Sequence, residues 1–171
     1  MTSTTGKALG LRTALNYLIP VALVVLLLDQ LTKVWALHSL ELGAEGKRFI
    51  GSFIQLRLIH NSGAALSMAS GMTWILTVIS VAVIVFICIS ARRFASKAWV
   101  LTLGLLLGGA LGNLGDRLFR APGFPQGHVV DFIDYGPFIG NVADIAIVIA
   151  AILIAALSLF GVAPFEGRES E

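Results

Sequence analysis

The chain is organised around one stretch, Gly127-His-Val-Val-Asp131-Phe-Ile-Asp134-Tyr-Gly-Pro-Phe-Ile-Gly-Asn141-Val-Ala-Asp144. It places three carboxylates and an amide directly before a long uncharged segment, in a protein that otherwise carries little charge. An ionisable side chain near a lipid bilayer is costly and is therefore a candidate for function by default. We expect Asp131 and Asp144 to form a catalytic pair, held by an apolar frame that the rest of the chain builds.

Composition indicates a membrane protein. Of the 171 residues, 57% are hydrophobic and only 13% are charged, whereas soluble domains carry about 25% charged residues. We expect a single domain over residues 1–171. A net charge of +2 and the lack of a basic tract argue against nucleic-acid binding. The single cysteine, Cys88, excludes an intramolecular disulfide and a CxxC metal site.

Four apolar runs predict an all-α membrane protein with four transmembrane helices. Crossing a bilayer takes about 20 apolar residues, and runs of this kind lie at approximately 14–37, 72–91, 98–116 and 142–163. Gly104, Gly108 and Gly112 share one face of the third helix, where a neighbouring backbone can approach closely. The first run also resembles the start of a cleavable signal peptide, but no small-residue cleavage site follows it.

A small β-sheet is predicted between the first and second spans. Ile54, Leu56 and Leu58 alternate with polar residues, which indicates a strand with one apolar face. A turn signal follows at residues 60–63. We expect this sheet on one membrane face, with a short helix or loop in the polar connection between spans three and four.

Basic residues indicate the topology. Four spans put both termini on one side, and six basic residues then fall on each side. The densest cluster, Arg92, Arg93 and Lys97, lies in a short loop, where basic residues favour the cytoplasmic side. We therefore expect cytoplasmic termini and an external face that collects the polar motifs.

Four polar clusters are predicted to meet at that face, because residues three or four apart are neighbours on a helix. The clusters are Asp29 with Lys33, Asn61 with Gly63, Asn113 with Asp116 and Arg117, and Asn141 with Asp131, Asp134 and Asp144.

Each cluster also has a purely structural interpretation. The first suits an ion pair that makes a span end tolerable, and the third suits an interhelical lock. Asn141 suits an N-cap, with Asp144 at the third position of a capping box. Asp134 suits a solvated loop. The residues alone leave these interpretations open.

A carboxylate pair has a clear chemical use in amide hydrolysis. One carboxylate takes a proton from water as general base, and the other, protonated, polarises the scissile carbonyl. The two share one proton because two close carboxylates cannot both ionise cheaply. Asp131 on the predicted loop and Asp144 at the helix start can face each other in this way, although their spacing does not prove it.

Other functional classes were weighed against a hydrolase. A small ion or proton transporter also uses intramembrane carboxylates, but its ionisable groups would be spread through the membrane depth rather than crowded at one face. A metalloprotease using His128, Asp131, Asp134 and Asp144 would normally show an HExxH motif, which is absent. A serine or cysteine protease lacks a nucleophile motif.

Five motifs follow one another along the chain. They are Asp29-Gln-Leu-Thr-Lys33, Asn61-Ser-Gly63, Gly108-Gly-Ala-Leu-Gly-Asn113-Leu-Gly-Asp116-Arg117, Val129-Val-Asp131-Phe and Asn141-Val-Ala-Asp144. Each is weak alone, but together, on a four-span chain, they specifically resemble the prokaryotic lipoprotein signal peptidases (signal peptidase II).

The resemblance implies an aspartic endopeptidase of the bacterial plasma membrane. Such an enzyme removes the signal peptide from diacylglyceryl-modified prolipoproteins, cutting just before the lipid-bearing cysteine, and needs no cofactor or metal. The catalytic pair falls on Asp131 and Asp144. Substrate-binding or supporting roles fall on Asn61, Gly63, Asn113, Asp116, Arg117, Asn141, Asp29 and Lys33.

The resemblance also implies structural and binding properties. It implies a sheet-like cradle over about residues 43–61, a mobile external helix before Asp131 and binding of globomycin-type inhibitors. Beside the resemblance, we expect a monomer in contact with membrane lipid. A strand edge near residues 57–61 is a further candidate for holding an extended signal peptide.

Two positions depart from the family pattern. Gly140 precedes Asn141 where the family usually has Phe, and Ile145 follows Asp144 where a small polar residue is common. Neither change removes a catalytic group, but Gly140 is expected to loosen one wall of the substrate groove.

Overall fold

Four long helices form the body of the protein. The computed structural model describes residues 8–51, 53–63 and 73–166. The helices are α1 (Leu11–Ser39), α2 (Thr73–Ser90), α3 (Lys97–Phe119) and α4 (Val142–Leu159). All four are long and apolar enough to cross a membrane, which confirms the predicted fold class.

The helix boundaries differ from the predicted ones by a few residues. α1 continues to Ser39 and α3 to Phe119, because both carry their polar residues on buried faces and do not end where charge begins. α4 ends earlier than predicted, at Leu159. Gly161 follows it with a φ of 70°, and its N–H bonds to the carbonyl of Ser158, so this glycine ends the helix. Met72, the predicted start of the second span, lies outside the described residues.

Helix α3 is the central helix, with fourteen of its 23 residues buried. A Cβ atom added at Gly104 would lie 2.9 Å from Cβ of Val21 on α1, and one at Gly108 would lie 2.6 Å from the carbonyl oxygen of Ala22. One at Gly112 would lie 2.5 Å from Oδ2 of Asp29. The predicted glycine face therefore exists and lets α1 pack directly on the α3 backbone.

The outer faces of the helices are apolar. Large exposed side chains include Leu31 on α1, Ile89 on α2 and Ile152 on α4. Cys88 is also exposed and lies near the end of α2. These faces suit contact with lipid rather than water.

Both ends of the described chain lie at the same end of the bundle. The N–H of Leu9 bonds to the carbonyl of Phe94, and the N–H of Glu166 bonds to the carbonyl of Arg93, both at 2.9 Å. A 3-10 turn, Ala91–Arg93, joins α2 to this region. The even number of spans is thereby confirmed.

A four-stranded antiparallel sheet covers the opposite end of the bundle. Its strands are β1 (Lys47–Ile50), β2 (Ile54–Asn61), β3 (Val129–Asp134) and β4 (Ile139–Gly140), in the order β1-β2-β3-β4. The predicted strand is confirmed as β2. The sheet packs on the end of α1 through a cluster of buried residues, namely Ala36, Leu58, Val130 and Phe132.

The connection after α3 begins as a loop, one of the two forms expected for it, with turns over residues 120–128. It then continues into β3 and β4, which the expectation did not include. The strand edge expected near residues 57–61 is partly occupied, because β3 pairs with β2 on one side and Leu42 bridges to Leu58 on the other. Among the described residues, 59–61 have no strand partner on that second side, so the expectation that this edge holds a peptide stays a prediction.

Candidate active site

The two predicted catalytic aspartates lie on different elements at the sheet end of the bundle. Asp131 lies within β3, not in a loop as expected, and Asp144 lies in the first turn of α4. The short strand β4 turns the chain back from β3 toward α4. One residue, Asn141, contacts both carboxylates: its side chain bonds to Asp131 and its main-chain N–H bonds to Asp144.

Asp131 is almost completely buried, with 1% of its surface exposed. Its Oδ2 accepts a 2.7 Å hydrogen bond from Nδ2 of Asn61, and its Oδ1 accepts a 2.6 Å bond from Nδ2 of Asn141. Burial raises the pKa of Asp131 to about 6, and the negative charge of Asp144 acts in the same direction, against the effect of the two hydrogen bonds. Asp131 therefore holds a proton more readily than an ordinary aspartate.

Asp144 is half-buried and makes the bonds of a helix cap. Its Oδ2 accepts the Asn141 N–H at 3.0 Å, and its own N–H donates to Oδ1 of Asn141 at 3.0 Å, so the predicted capping box is present. Its Oδ1 accepts a 2.8 Å bond from Nδ2 of Asn113 on α3. The structural and functional interpretations of Asp144 are therefore compatible, since capping holds the carboxylate beside Asn113.

The side-chain partners of Asn113 differ from those that its spacing along α3 predicts. Its main-chain carbonyl accepts a bond from Arg117, as the spacing predicts, but its side chain bonds to Lys33 on α1 and to Asp144 on α4. Oδ1 accepts bonds of 3.1 Å from Nζ of Lys33 and from Nδ2 of Asn141. The amide thus lies between a buried cation and Asp144.

Lys33 is the centre of a buried ion cluster. Its Nζ lies 2.8 Å from Oδ2 of Asp29 and 2.9 Å from Oδ2 of Asp116, and all three side chains are essentially inaccessible. Oδ1 of Asp29 accepts the N–H of Ala143 at the start of α4. Oδ2 of Asp116 accepts the N–H of Val130 in β3 at 3.1 Å. The cluster therefore ties α1 and α3 to the elements that carry the two catalytic candidates.

Arg117 is buried on α3, and one of its donor nitrogens is not used in a hydrogen bond among the described residues. Nη1 donates to the carbonyl of Asn113 at 3.2 Å, while Nε has no hydrogen-bond partner in the described part of the chain. The negative charges of Asp144 and Asp131 act on this guanidinium. Arg117 can therefore offer a donor to a group that enters the site.

Gly63 acts through Asn61. Its N–H donates to Oδ1 of Asn61 at 2.8 Å, and its φ of 93° is one that glycine adopts without strain. The bond leaves Nδ2 of Asn61 to face Asp131.

A Cβ atom at Gly140 would lie 2.9 Å from Oδ2 of Asp144, so the departure at this position borders a catalytic candidate directly.

Other polar candidates lie outside this group. Oδ1 of Asp134 accepts the N–H of Gly136 in an exposed turn, as its solvated interpretation predicts. His60 is exposed and alternates with Asn61 along β2. Within the described ranges, no three His, Cys, Asp or Glu side chains are arranged to hold a metal ion.

Two further residues, Arg120 and Gln30, support the buried carboxylates. Nε of Arg120 donates to Oδ1 of Asp116 at 2.6 Å, a pair that the spacing of four residues on α3 could have revealed. Nε2 of Gln30 bonds to Oδ2 of Asp29 at 3.0 Å and to the carbonyl of Gly112 at 3.2 Å. No sequence signal identifies Gln30, because its partners include a residue 82 positions away.

A family model described as Signal peptidase (SPase) II matches residues 21–160. The chain belongs to the signal peptidase II family. The lipoprotein signal peptidase of Rhodococcus jostii (strain RHA1) is 51% identical over 145 residues, which cover 84% of this chain and 73% of that protein. The lipoprotein signal peptidase of Mycobacterium tuberculosis (strain ATCC 25618 / H37Rv) is 51% identical over 148 residues, covering 86% of this chain and 73% of that protein.

A solved structure of a bacterial membrane enzyme, determined in meso at 1.9 Å, has a similar fold. Its TM-score is 0.74 at 28% identity, and the match covers 91% of this chain and 97% of that chain. The resemblance drawn from the five motifs is confirmed at the level of family and fold. This chain is a multi-pass membrane peptidase of the signal peptidase II family, and no comparison favours a transporter.

Proposed function

We propose that this chain removes the signal peptide from diacylglyceryl-cysteine prolipoproteins, with Asp131 and Asp144 as an aspartic catalytic pair. Family membership supports the substrate class. The observation that carries the aspartic mechanism is that Asn141 bonds to both carboxylates, so the two act around one site. Lipid on the substrate cysteine would hold the scissile bond at the depth of this site, a proximity effect.

In this mechanism Asp131 is the acid and Asp144 the base. Asp131 is buried and has its pKa raised to about 6, so it is the better holder of the shared proton. Asp144 is half-buried and accepts N–H bonds at both of its oxygens. The proton nevertheless titrates as a property of the pair.

The reaction then follows from these two roles. Asp144 takes a proton from water, the oxygen attacks the scissile carbonyl carbon, and Asp131 gives its proton to the carbonyl oxygen. As the tetrahedral intermediate collapses and its C–N bond breaks, one of its two hydroxyl groups returns a proton to Asp131, and the proton held by Asp144 passes to the amine of the lipid-bearing cysteine. Arg117 and the amides of Asn61 and Asn113 are in position to hold the substrate backbone.

The site faces the external side in this proposal. The basic cluster of Arg92, Arg93 and Lys97 lies at the end of the bundle opposite the sheet, which favours a cytoplasmic location for that end. Both termini are then cytoplasmic, and the active site lies at the extracytoplasmic face of the bacterial plasma membrane. The enzyme is expected to act as a monomer and to bind globomycin-type inhibitors.

Cleavage of defined precursors by the purified protein tests the proposal. A diacylglyceryl-modified precursor and the same precursor without lipid are incubated with enzyme in bilayer nanodiscs, with and without EDTA. We expect cleavage of the lipidated form alone, with a product that begins at the modified cysteine by mass spectrometry, unchanged by EDTA. Cleavage elsewhere would overturn the assigned reaction, and loss of activity in EDTA would favour a metalloprotease.

A further inference from the structure

The ammonium group of Lys33 has all of its donors in use. It is fully buried on α1 and lies within 3.1 Å of three oxygen atoms, which belong to Asp29, Asp116 and Asn113. An ammonium group has three N–H donors and no acceptor. Only hydrogen-bond acceptors can therefore lie against Nζ. The Asn113 side chain must accordingly turn its oxygen, and not its NH₂ group, toward Lys33.

The orientation of the Asn113 amide follows from this requirement. Its oxygen faces two donors, Nζ of Lys33 and Nδ2 of Asn141, both at 3.1 Å. Its nitrogen faces an acceptor, Oδ1 of Asp144, at 2.8 Å. A rotation by 180° would place the NH₂ group against both donors and an oxygen against the Asp144 carboxylate, so every one of these three bonds would be lost.

We propose that Lys33 is a positioning residue for catalysis: its buried ammonium fixes the Asn113 amide so that Nδ2 always donates to Asp144. The inference rests on the proposed function, because it assigns Asp144 the role of base. No hydrogen bond or ion pair joins Lys33 to Asp144 within the described residues, so Lys33 acts through the asparagine.

If Lys33 served only to neutralise buried charge at the end of α1, it would not need its third contact, the one with Asn113. Asp29 and Asp116 already supply two carboxylates to Lys33, and Asp116 also pairs with Arg120 at 2.6 Å. The amide oxygen of Asn113 completes the coordination of the ammonium and links it to the catalytic pair. Removing the lysine charge should therefore affect the chemical step more than substrate binding.

The test removes charge without leaving an unpaired buried ion. In the double variant Asp29→Asn/Lys33→Met, one anion and one cation disappear together, while Asp116 keeps Arg120. We expect kcat on a diacylglyceryl precursor to fall about 10- to 100-fold, the range for one hydrogen bond to a charged group, with KM changed less than about threefold. Thr32→Val, a neighbour whose hydroxyl bonds only to the α1 backbone, serves as the control at wild-type kcat.

A wild-type measurement covers the case in which the double variant does not fold. NMR on protein labelled at lysine ¹⁵Nζ and asparagine ¹³Cγ should show a coupling across the hydrogen bond between Lys33 and Asn113. A folded double variant with wild-type kcat, an equal loss in kcat and substrate binding, or absence of the coupling would each overturn the inference. Asp131→Asn is assayed in parallel, because cleavage by that variant would instead overturn the aspartic mechanism.

Discussion

The side-chain amide of Asn141 donates a 2.6 Å hydrogen bond to Oδ1 of Asp131, while the main-chain N–H of the same residue donates to Asp144. Asn141 is fully buried and also forms the N-cap of α4. One residue thus begins the last helix and links the strand that carries one aspartate to the helix that carries the other. Its cap function and its linking function can be separated by substitution.

Replacing Asn141 by serine should reduce cleavage more than stability. Serine is a good N-cap, so α4 still starts at Val142. Serine lacks the NH₂ group with which Asn141 donates to both Asp131 and Asn113. We expect kcat/KM to fall about 10- to 100-fold, since hydrogen bonds to charged groups contribute about 1.5–3 kcal/mol. Asn141→Ala is the companion variant and should melt at a lower temperature than Asn141→Ser. Wild-type cleavage by Asn141→Ser would remove this residue from the site.

Replacing Asn61 by alanine should also weaken cleavage, because Asp131 loses the 2.7 Å bond at Oδ2. The expected loss in kcat/KM is about tenfold, near the lower end for a bond to a carboxylate, because Asn61 is only half-buried. His60→Ala is the matched control on the same strand, and it should cleave at the wild-type rate. Equal rates for the two variants would show that the Asn61 side chain does not serve the reaction.

Replacing Gly112 by alanine should destabilise the protein. The added Cβ would lie 2.5 Å from Oδ2 of Asp29, which the buried cluster holds in place, and overpacking of this kind costs about 1–3 kcal/mol. At Gly115, on the same helix, an added Cβ meets nothing within 4 Å. Thermal unfolding in detergent should therefore show a lower Tm for Gly112→Ala and none of this loss for Gly115→Ala. Identical Tm values would contradict the close packing of α1 on α3.

Stability should depend on pH through Asp131. Its pKa is raised from an ordinary value of 3.8 to about 6 in the folded protein, so the folded state binds the proton more tightly than the unfolded state. The stabilisation is complete below pH 3.8 and is lost as pH rises through about 6, a change on the order of 3 kcal/mol. Unfolding of wild type and Asp131→Asn between pH 4 and 8 should show wild type losing stability relative to the variant. A constant difference across this range would refute the raised pKa.

Features that depend on local sequence were predictable. The apolar runs gave the four helices, the alternation at Ile54, Leu56 and Leu58 gave β2, and the Asn141–Asp144 spacing gave the capping box. β3 was missed for a physical reason. Its first four residues are all buried, so the strand lacks the polar alternation that marks a half-exposed strand. The sequence pattern around Asp131 therefore predicts a loop where the protein forms a strand.

The partners of the site residues were less predictable. Helical spacing predicts that Asn113 meets Asp116 and Arg117, and its main-chain carbonyl does bond to Arg117. Its side chain, however, bonds to Lys33, 80 positions earlier, and to Asp144, 31 positions later. Such contacts are fixed by the packing of α1 and α4 against the glycine-rich faces of α3. A single sequence contains the glycines but not the rotation of each helix about its axis.

Cleavage of a diacylglyceryl precursor by Asp131→Asn and Asp144→Asn tests the catalytic pair most directly, with Asp134→Asn as the control. Asp134 lies three residues from Asp131 on β3, but within the described ranges its carboxylate bonds only to the N–H of Gly136 in an exposed turn. We predict that all three variants insert and fold, that the first two do not cut, and that Asp134→Asn cuts at the wild-type rate. Cleavage by either Asp131→Asn or Asp144→Asn would contradict the account.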